Sequence, residues 1–168
     1  MSIFSPLCDD IVDFGTHNSN ARKNTTYNPS GKVVKITPHH MAMVCDAKRC
    51  AQAHRSGDKA SATYYIGNDG KICGGVSEDR RPWTSSSREN DFLAVTIEVS
   101  NSDTTPRWPV SDAAFASLVR LCVDICKRNG LELYRRRKRE PNTPQYVRKY
   151  PVSGPVPAGA VPGAAASG

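Results

Sequence analysis

The sequence predicts an α/β fold, a central mixed β-sheet flanked by helices. Three observations predict it. Residues 93–99, LAVTIEV, are almost all β-formers, which is typical of a central strand buried on both faces. Residues 62–76, ATYYIGNDGKICGGV, have the strand–turn–strand pattern of a hairpin. Residues 110–130 carry apolar side chains at helical spacing. A length of 168 residues suits one domain with one hydrophobic core.

The first third of the chain precedes these elements and contains one predicted strand and one predicted helix. Residues 1–31 are polar and have little periodicity, so we expect an irregular N-terminal arm that packs on the folded body. Residues 32–37 form the first strand, and residues 43–55 form a short helix that ends at Gly57. The folded domain is predicted to span residues 32–133.

The helix within residues 110–130 is the clearest one in the sequence. Ser111 or Asp112 is expected to cap its N-terminus, and Gly130 is expected to end it. An apolar stripe recurs at intervals of three and four residues, which predicts the face that packs on the sheet. The stripe consists of Phe115, Leu118, Val119, Cys122, Ile125 and Cys126.

The character of the chain changes after Gly130. The segment YRRRKRE is a run of charge, and the last eighteen residues contain four Pro, four Gly and five Ala with no charged residue. Such a composition cannot bury an apolar face. We therefore expect residues 134–168 to form a tail without packed structure.

The net charge of +7 comes entirely from the C-terminal region. Residues 127–150 hold nine Lys and Arg against Glu132 and Glu140, so residues 1–126 are neutral overall. A neutral body argues against nucleic acid as a partner.

No stretch is long enough to span a membrane. The segment MSIFSPLCDDIVDF lacks the basic start and apolar run of a signal peptide. We expect a cytoplasmic protein.

The six cysteines are predicted to be free thiols, because a chain without an export signal does not usually carry disulfides. Cys122 and Cys126 are four residues apart, which places both on one face of the long helix as small core residues.

The segment VVKITPHHMA raises the question of a metal site. A β-branched run leads through Pro38 into His39 and His40. A strand that ends in histidine is a good place for a zinc ligand, because the strand fixes the direction of the ring. The alternative is an ordinary pair of surface histidines.

Glu98 strengthens the case for a reactive site. It lies in VTIEV, a run too apolar to hold a carboxylate without cost. The functional interpretation is a general base with a raised pKa beside a metal-bound water. The alternative is that Glu98 lies at a sheet edge or pairs with an arginine.

Three stretches in order complete the pattern: KITPHHMA, then ASATYYIGNDGKICGGVSEDRRPWTSSSREND, then AVTIEVSNSDTTPRWPVSDAAFASLVRLCVDICKRNG. Together they resemble the zinc-dependent N-acetylmuramoyl-L-alanine amidases, the type-2 amidase family, which includes phage endolysin domains and is related to peptidoglycan recognition proteins. The resemblance covers residues 30 to about 133. It implies a mixed sheet with flanking helices, one catalytic Zn²⁺, and hydrolysis of the amide between N-acetylmuramic acid and the L-alanine of the stem peptide.

The resemblance also assigns roles to individual residues. His39, the first histidine of the pair, matches the metal ligand, and Glu98 matches the catalytic base. The stretch from Trp83 to Asn90 matches a groove-lining segment, which makes both residues candidate substrate contacts, with structural packing as the alternative for Trp83. The implied partner is peptidoglycan, and the implied site of action is the cell wall after release from the cytoplasm. We expect a monomer.

The family's other two zinc ligands have no counterpart in this chain. They are a second histidine and, eight residues later, a cysteine or aspartate that follow the long helix, whereas this chain has no histidine after His54 and no cysteine after Cys126. The zinc site is therefore incomplete in this chain. One alternative function is a peptidoglycan-binding pseudoenzyme that lacks two ligands.

The codons of the tail suggest where the ligands went. Shifted by one nucleotide, the overlap of Pro144 and Gln145 admits a histidine, and the overlap of Val152 and Ser153 admits a cysteine eight residues later, followed by Pro-Gly-Pro. We infer that the reading frame slipped near residue 134. The alternatives are a genuine basic arm with a linker, or a nucleic-acid-binding tail, which would need aromatic residues among its charges.

Overall fold

A computed structural model of the chain describes residues 2–57, 59–103 and 106–131. The tail predicted for residues 134–168 lies outside the described residues. Seven strands and three helices form in the described part of the chain. The strands are β1 (Asp10–Ile11), β2 (Ser19–Ala21), β3 (Lys35–His40), β4 (Tyr64–Ile66), β5 (Ile72–Gly74), β6 (Arg80–Pro82) and β7 (Ala94–Val99). The helices are α1 (Ala47–Ser56), α2 (Arg88–Leu93) and α3 (Asp112–Asn129).

Five strands form one mixed sheet in the order β1-β5-β4-β7-β3. The predicted hairpin supplies the antiparallel pair β4–β5, and all other neighbours in this sheet are parallel. Strands β2 and β6 form a separate antiparallel ribbon. The predicted mixed sheet with flanking helices is confirmed.

The central strand β7 explains how the core divides into two layers. Val95, Ile97 and Val99 point to one face and pack with α3 residues such as Leu121 and Ile125. The other face of the sheet packs against α1 through Ala47, Cys50 and Ala51. Successive residues of a strand point to opposite faces, so Glu98 points to the α1 side. That layer therefore holds the candidate site.

The N-terminal arm is more ordered than its composition suggested. Residues 10–11 extend the main sheet as β1, and residues 19–21 pair with β6, so the expectation of an irregular arm was wrong at these two places. The arm belongs to the same compact unit as the sheet. Main-chain pairing, which leaves no periodicity in such short strands, orders the segment.

Helix α3 has the predicted ends and a buried face that differs from the predicted one in part, because Leu118, Cys122, Ile125 and Cys126 do face the core. Ser111 accepts a hydrogen bond from the Ala114 N–H at its N-terminus, and Gly130 adopts a left-handed conformation at its C-terminus. Phe115 and Val119 were predicted to face the sheet, but their side chains are 60% and 47% exposed. The buried face consists of Ala114, Ser117, Leu121, Ile125 and Cys126.

Small residues on α3 allow the helix to lie close to the β4–β5 turn. The Ser117 hydroxyl donates to the Gly70 carbonyl at 2.6 Å. Gly70 has φ +83°, and a Cβ at this position would lie 2.8 Å from the Ala113 carbonyl oxygen. Any larger residue at position 70 would separate the helix from the turn. The close contact of Ser117 and Ala113 with Gly70 therefore favours a rotation of α3 in which Phe115 and Val119 do not face the sheet, although the apolar stripe predicted that they would.

Candidate active site

His39 and Glu98 lie opposite each other on neighbouring parallel strands. The register of β3 on β7 pairs His39 with Glu98, and the register of β4 on β7 pairs Tyr65 with Glu98. Residues in register on neighbouring strands point to the same face, so these three side chains form a row on the α1 side. His40 points to the other face, where its ring lies 6.1 Å from that of Trp108. It is thus not placed to act with His39.

The His39 ring carries an unpartnered atom. Its Nε2 is buried and makes no hydrogen bond within the described part of the chain. An imidazole nitrogen buried without a partner costs free energy, and a metal ion or substrate group at this point would remove that cost. The unpartnered Nε2 atom is the reason why His39 fits the position of a metal ligand.

Glu98 is half-buried and occupies an interior strand of the sheet, because β7 lies between β4 and β3. It makes no hydrogen bond or ion pair with a described residue. The two alternatives for Glu98, a sheet edge and an arginine partner, therefore do not hold among the described residues. Burial raises the pKa of its carboxyl from 4.5 to about 7. A carboxyl that titrates near neutrality is suited to accept and return a proton.

The two tyrosines of β4 support the sheet rather than the chemistry. Tyr65 is fully buried, and its hydroxyl accepts from the Ala62 N–H at 2.9 Å and contacts His54 Nδ1 at 3.0 Å. Tyr64 is also fully buried and donates its hydroxyl to Glu78. Burial is the main cause of the raised pKa of both phenols. These contacts and the full burial of both rings are typical of packing residues.

Asn90 reaches the same face of the sheet by way of Thr37, which lies two residues before His39. The Thr37 hydroxyl donates to Asn90 Oδ1 at 3.2 Å. The Asn90 amide group donates to Ser85 Oγ at 3.1 Å and to Asp91 Oδ1 at 3.2 Å. Both ends of the side chain are therefore engaged in the protein, and its present contacts fix the start of α2.

Trp83 lines an open cavity of about 690 Å³ together with residues of the arm and of α2. Neither His39 nor Glu98 is among the residues that line this cavity. The Trp83 indole N–H donates to Asn20 Oδ1 at 2.8 Å, which holds the ring against the arm.

A complete zinc site does not form within residues 2–57, 59–103 and 106–131. A catalytic zinc ion takes three protein ligands and keeps one position for water. No three His, Cys, Asp or Glu side chains in the described residues cluster in a way that could hold a metal ion. His39 fits one ligand position, and the described residues supply no others. All six cysteines are free thiols, as predicted.

Arg22 lies in the arm, is 1% exposed, and was not among the residues predicted from the sequence. Its guanidinium donates to the carbonyls of Glu78, Arg80, Phe92 and Ala94 at 2.6–3.0 Å. Burial lowers its pKa to about 10. Nothing in the local sequence marks this arginine, because its partners are main-chain atoms. It ties the arm to the start of β7, the strand that carries Glu98.

Several solved structures share this fold. PlyL superposes with a TM-score of 0.53 at 12% identity, covering 60% of this chain and 64% of PlyL. The PlyG catalytic domain gives 0.52 at 14% identity, covering 72% of each chain. An AmpD derivative gives 0.51 at 18% identity, covering 77% of this chain and 81% of AmpD. The chain thus spans less than two thirds of PlyL. At these identities the likeness establishes the fold.

The family follows from a sequence match that spans more than half of the chain. Residues 29–149 match the N-acetylmuramoyl-L-alanine amidase family, and the chain belongs to that family. The match extends past residue 133, the predicted end of the domain, into the segment interpreted as out of frame. Curated protein sequences give no match. In the described part of the chain, none of the helices has the length and apolar character needed to cross a membrane.

Proposed function

We propose that this protein is a peptidoglycan hydrolase that cleaves the amide between N-acetylmuramic acid and L-alanine. The observation that carries the proposal is the pairing of His39 with Glu98. One side chain offers a buried, unpartnered nitrogen, and the other offers a buried carboxyl with a pKa near 7. Membership of the amidase family supplies the class of bond.

Each residue of the pair has its own role in the reaction. His39 would provide one ligand for Zn²⁺, which when bound polarises a carbonyl and acidifies water. Glu98 accepts a proton from the attacking water as its oxygen adds to the amide carbon. It then returns the proton to the leaving nitrogen as the C–N bond breaks. A pKa near 7 lets the same carboxyl perform both transfers near neutral pH.

The remaining two ligands are proposed to come from the frame-restored sequence. In this proposal residues 1–31 form the arm, residues 32–133 the amidase domain, and residues 134–168 the out-of-frame product. The shifted codons admit a histidine and a cysteine eight residues apart, which is the spacing the family resemblance implies. Sequencing the gene around codon 134 tests this directly. An intact frame through codon 168 in independent isolates would contradict it.

A second candidate function is peptidoglycan binding without catalysis. The observation that favours it is that residues 2–57, 59–103 and 106–131 offer no three-residue metal cluster. Digesting purified sacculi separates the two candidates. The amidase releases stem peptides with a free L-alanine amino terminus and leaves the glycan strands intact. The pseudoenzyme co-sediments with the sacculi and releases nothing.

Partner and location follow from the proposed activity. Peptidoglycan is the proposed partner, with the protein acting on the cell wall after release and functioning as a monomer. Trp83 and Asn90 remain proposed substrate contacts. Asn90 would have to exchange a contact with Thr37, Ser85 or Asp91 to bind substrate directly.

A further inference from the structure

A second concave site lies between the β2–β6 ribbon and α2. This groove is an open cavity of about 690 Å³. Its lining residues are Asn20, Ala21, Lys23, Asn24, Tyr27, Arg81, Trp83, Arg88 and Phe92. The first five precede residue 29, where the family match begins. The groove is therefore built largely from a segment that lies outside the matched family region.

The groove is positively charged. Lys23, Arg81 and Arg88 line it, and no Asp or Glu does. Lys23 and Arg88 are exposed and make no ion pair with a described residue. Arg88 also lies close enough to Arg81 for its charge to contribute to the lowered pKa of Arg81, of which burial is the main cause. Like charges held together in this way favour a bound anion.

Arg81 is held in place but not fully satisfied. Its side chain is 12% exposed and lies 3.8 Å from Asp91 Oδ2, a long contact for an ion pair. Its Nη1 donates to Asn20 Oδ1 at 2.9 Å, and the same oxygen accepts from the Trp83 indole. Its Nε is buried and has no partner in the described part of the chain. A buried donor without an acceptor is costly, and its charge is not offset by a hydrogen bond at that atom.

Aromatic faces lie beside these cations. The Tyr27 ring stacks on Phe92 at 5.4 Å, and the Arg81 guanidinium lies 5.1 Å from the centre of the Phe92 ring. Tyr27 is 37% exposed, and Trp83 is half-buried at the edge of the groove. Flat apolar surface next to a few fixed polar groups suits a ligand that places an anionic group beside an apolar one.

We propose that this groove binds an anionic group of the cell-wall polymer and thereby holds the protein on its substrate. The chemistry is that of an oxyanion, and it has two sources in a cell wall: stem-peptide carboxylates and the phosphodiesters of attached polymers. The identification of the polymer as cell-wall material rests on the proposed function. The proposal of an anion site depends only on the residues of the groove.

Tryptophan fluorescence can test the proposal. The chain has two tryptophans, so Trp108→Phe leaves Trp83 as the sole reporter. This variant is titrated with glycerol-phosphate oligomers and, separately, with soluble stem peptides. We expect one of the two probes to change the Trp83 emission saturably, with binding weakened by added salt. Calorimetry with the unaltered chain repeats the titration in case Trp108→Phe fails to fold.

Charge variants locate the site. Lys23→Ala and Arg88→Ala should each weaken binding about tenfold, as expected for loss of a charge-assisted contact. Arg49→Ala removes the same charge from the exposed surface of α1, outside the groove, and should bind like the parent. The proposal is overturned if neither probe binds, or if all three variants bind alike.

The groove and the proposed hydrolase can fail separately. Binding of a probe by a His39→Ala variant supports the groove whether or not the protein hydrolyses peptidoglycan. Hydrolysis by a protein that binds neither probe would leave the proposed function intact and reject the groove.

Discussion

Glu98 places a carboxyl where the surrounding layer favours its neutral form. The side chain lies on an interior strand, half-buried, with no hydrogen bond or ion pair among the described residues. Burial therefore raises its pKa to about 7 without an opposing partner. The raised pKa affects activity, because the carboxyl must be ionised before it can accept a proton. It also affects stability, because burial favours the protonated form.

Activity should depend on Glu98 in the frame-restored enzyme. Glu98→Gln keeps the shape of the side chain but cannot accept a proton, so turnover should fall by about 10²–10⁴-fold with bound zinc unchanged. The parent enzyme should gain activity as pH rises through the pKa of the Glu98 carboxyl, which burial raises and a neighbouring zinc ion would lower. His39→Ala is the matched comparison and should lose the metal. Release of stem peptides measured against pH, with zinc content in parallel, checks both predictions.

Glu98 should also make stability depend on pH in the metal-free chain. The folded pKa, about 7, lies above the unfolded value of 4.5, so ionisation favours the unfolded state. The contribution of Glu98 to the free energy of unfolding is greatest below about pH 4.5, and it is lost as pH rises from there through about 7. Glu98→Gln should remove the loss and stabilise the protein at pH 8 by up to about 3 kcal/mol. Urea unfolding at pH 5 and pH 8 with a chelator measures this, and an equal effect at both values would contradict the burial argument.

At the scale of the element, α3 is positioned by small residues. Leu121 is fully buried, whereas Phe115, the larger side chain, is 60% exposed. Leu121→Ala should cost about 2–5 kcal/mol, and Phe115→Ala should change the free energy of unfolding by no more than about 0.5 kcal/mol. Chemical unfolding of the two variants gives the comparison. A large loss with Phe115→Ala would restore the orientation predicted from hydrophobicity.

Arg22 joins the arm to the start of β7. Arg22 donates to four carbonyls at 3.0 Å or less, and a shorter side chain leaves them without a donor. Arg22→Met, similar in volume, should destabilise the fold by about 3–5 kcal/mol, and Arg22→Lys should recover only part of this because one ammonium cannot reach all four. Arg49→Ala controls for loss of charge. Equal urea midpoints for Arg22→Met and Arg49→Ala would show that the network carries little stability.

The whole molecule shows which features a sequence can predict. The hairpin, β7 and the ends of α3 follow from local signals, namely turn residues, β-formers and caps. The strands of the arm and the rotation of α3 depend on main-chain partners far away in sequence, and those leave no local pattern. The same limit applies to the site. A strand that ends in histidine marks His39 as a candidate, and a carboxylate in an apolar run marks Glu98. The cavity that Trp83 lines could not be predicted in this way, because it includes residues of the arm that lie far from Trp83 in sequence.

Retention of zinc depends on how many ligands the whole chain supplies. A single imidazole holds zinc weakly in water, because each additional protein ligand contributes to the free energy of binding. A zinc ion with one protein ligand keeps water in its other coordination positions. The 168-residue chain should therefore lose zinc to a mild chelator and release little stem peptide. The frame-restored chain, with a histidine and a cysteine added, should retain about one zinc per molecule and lyse sacculi. Metal analysis after dialysis, paired with stem-peptide release, compares the two forms. Stoichiometric zinc and rapid lysis by the 168-residue chain would show that other residues complete the site, and the frame-slip proposal would then lose its basis.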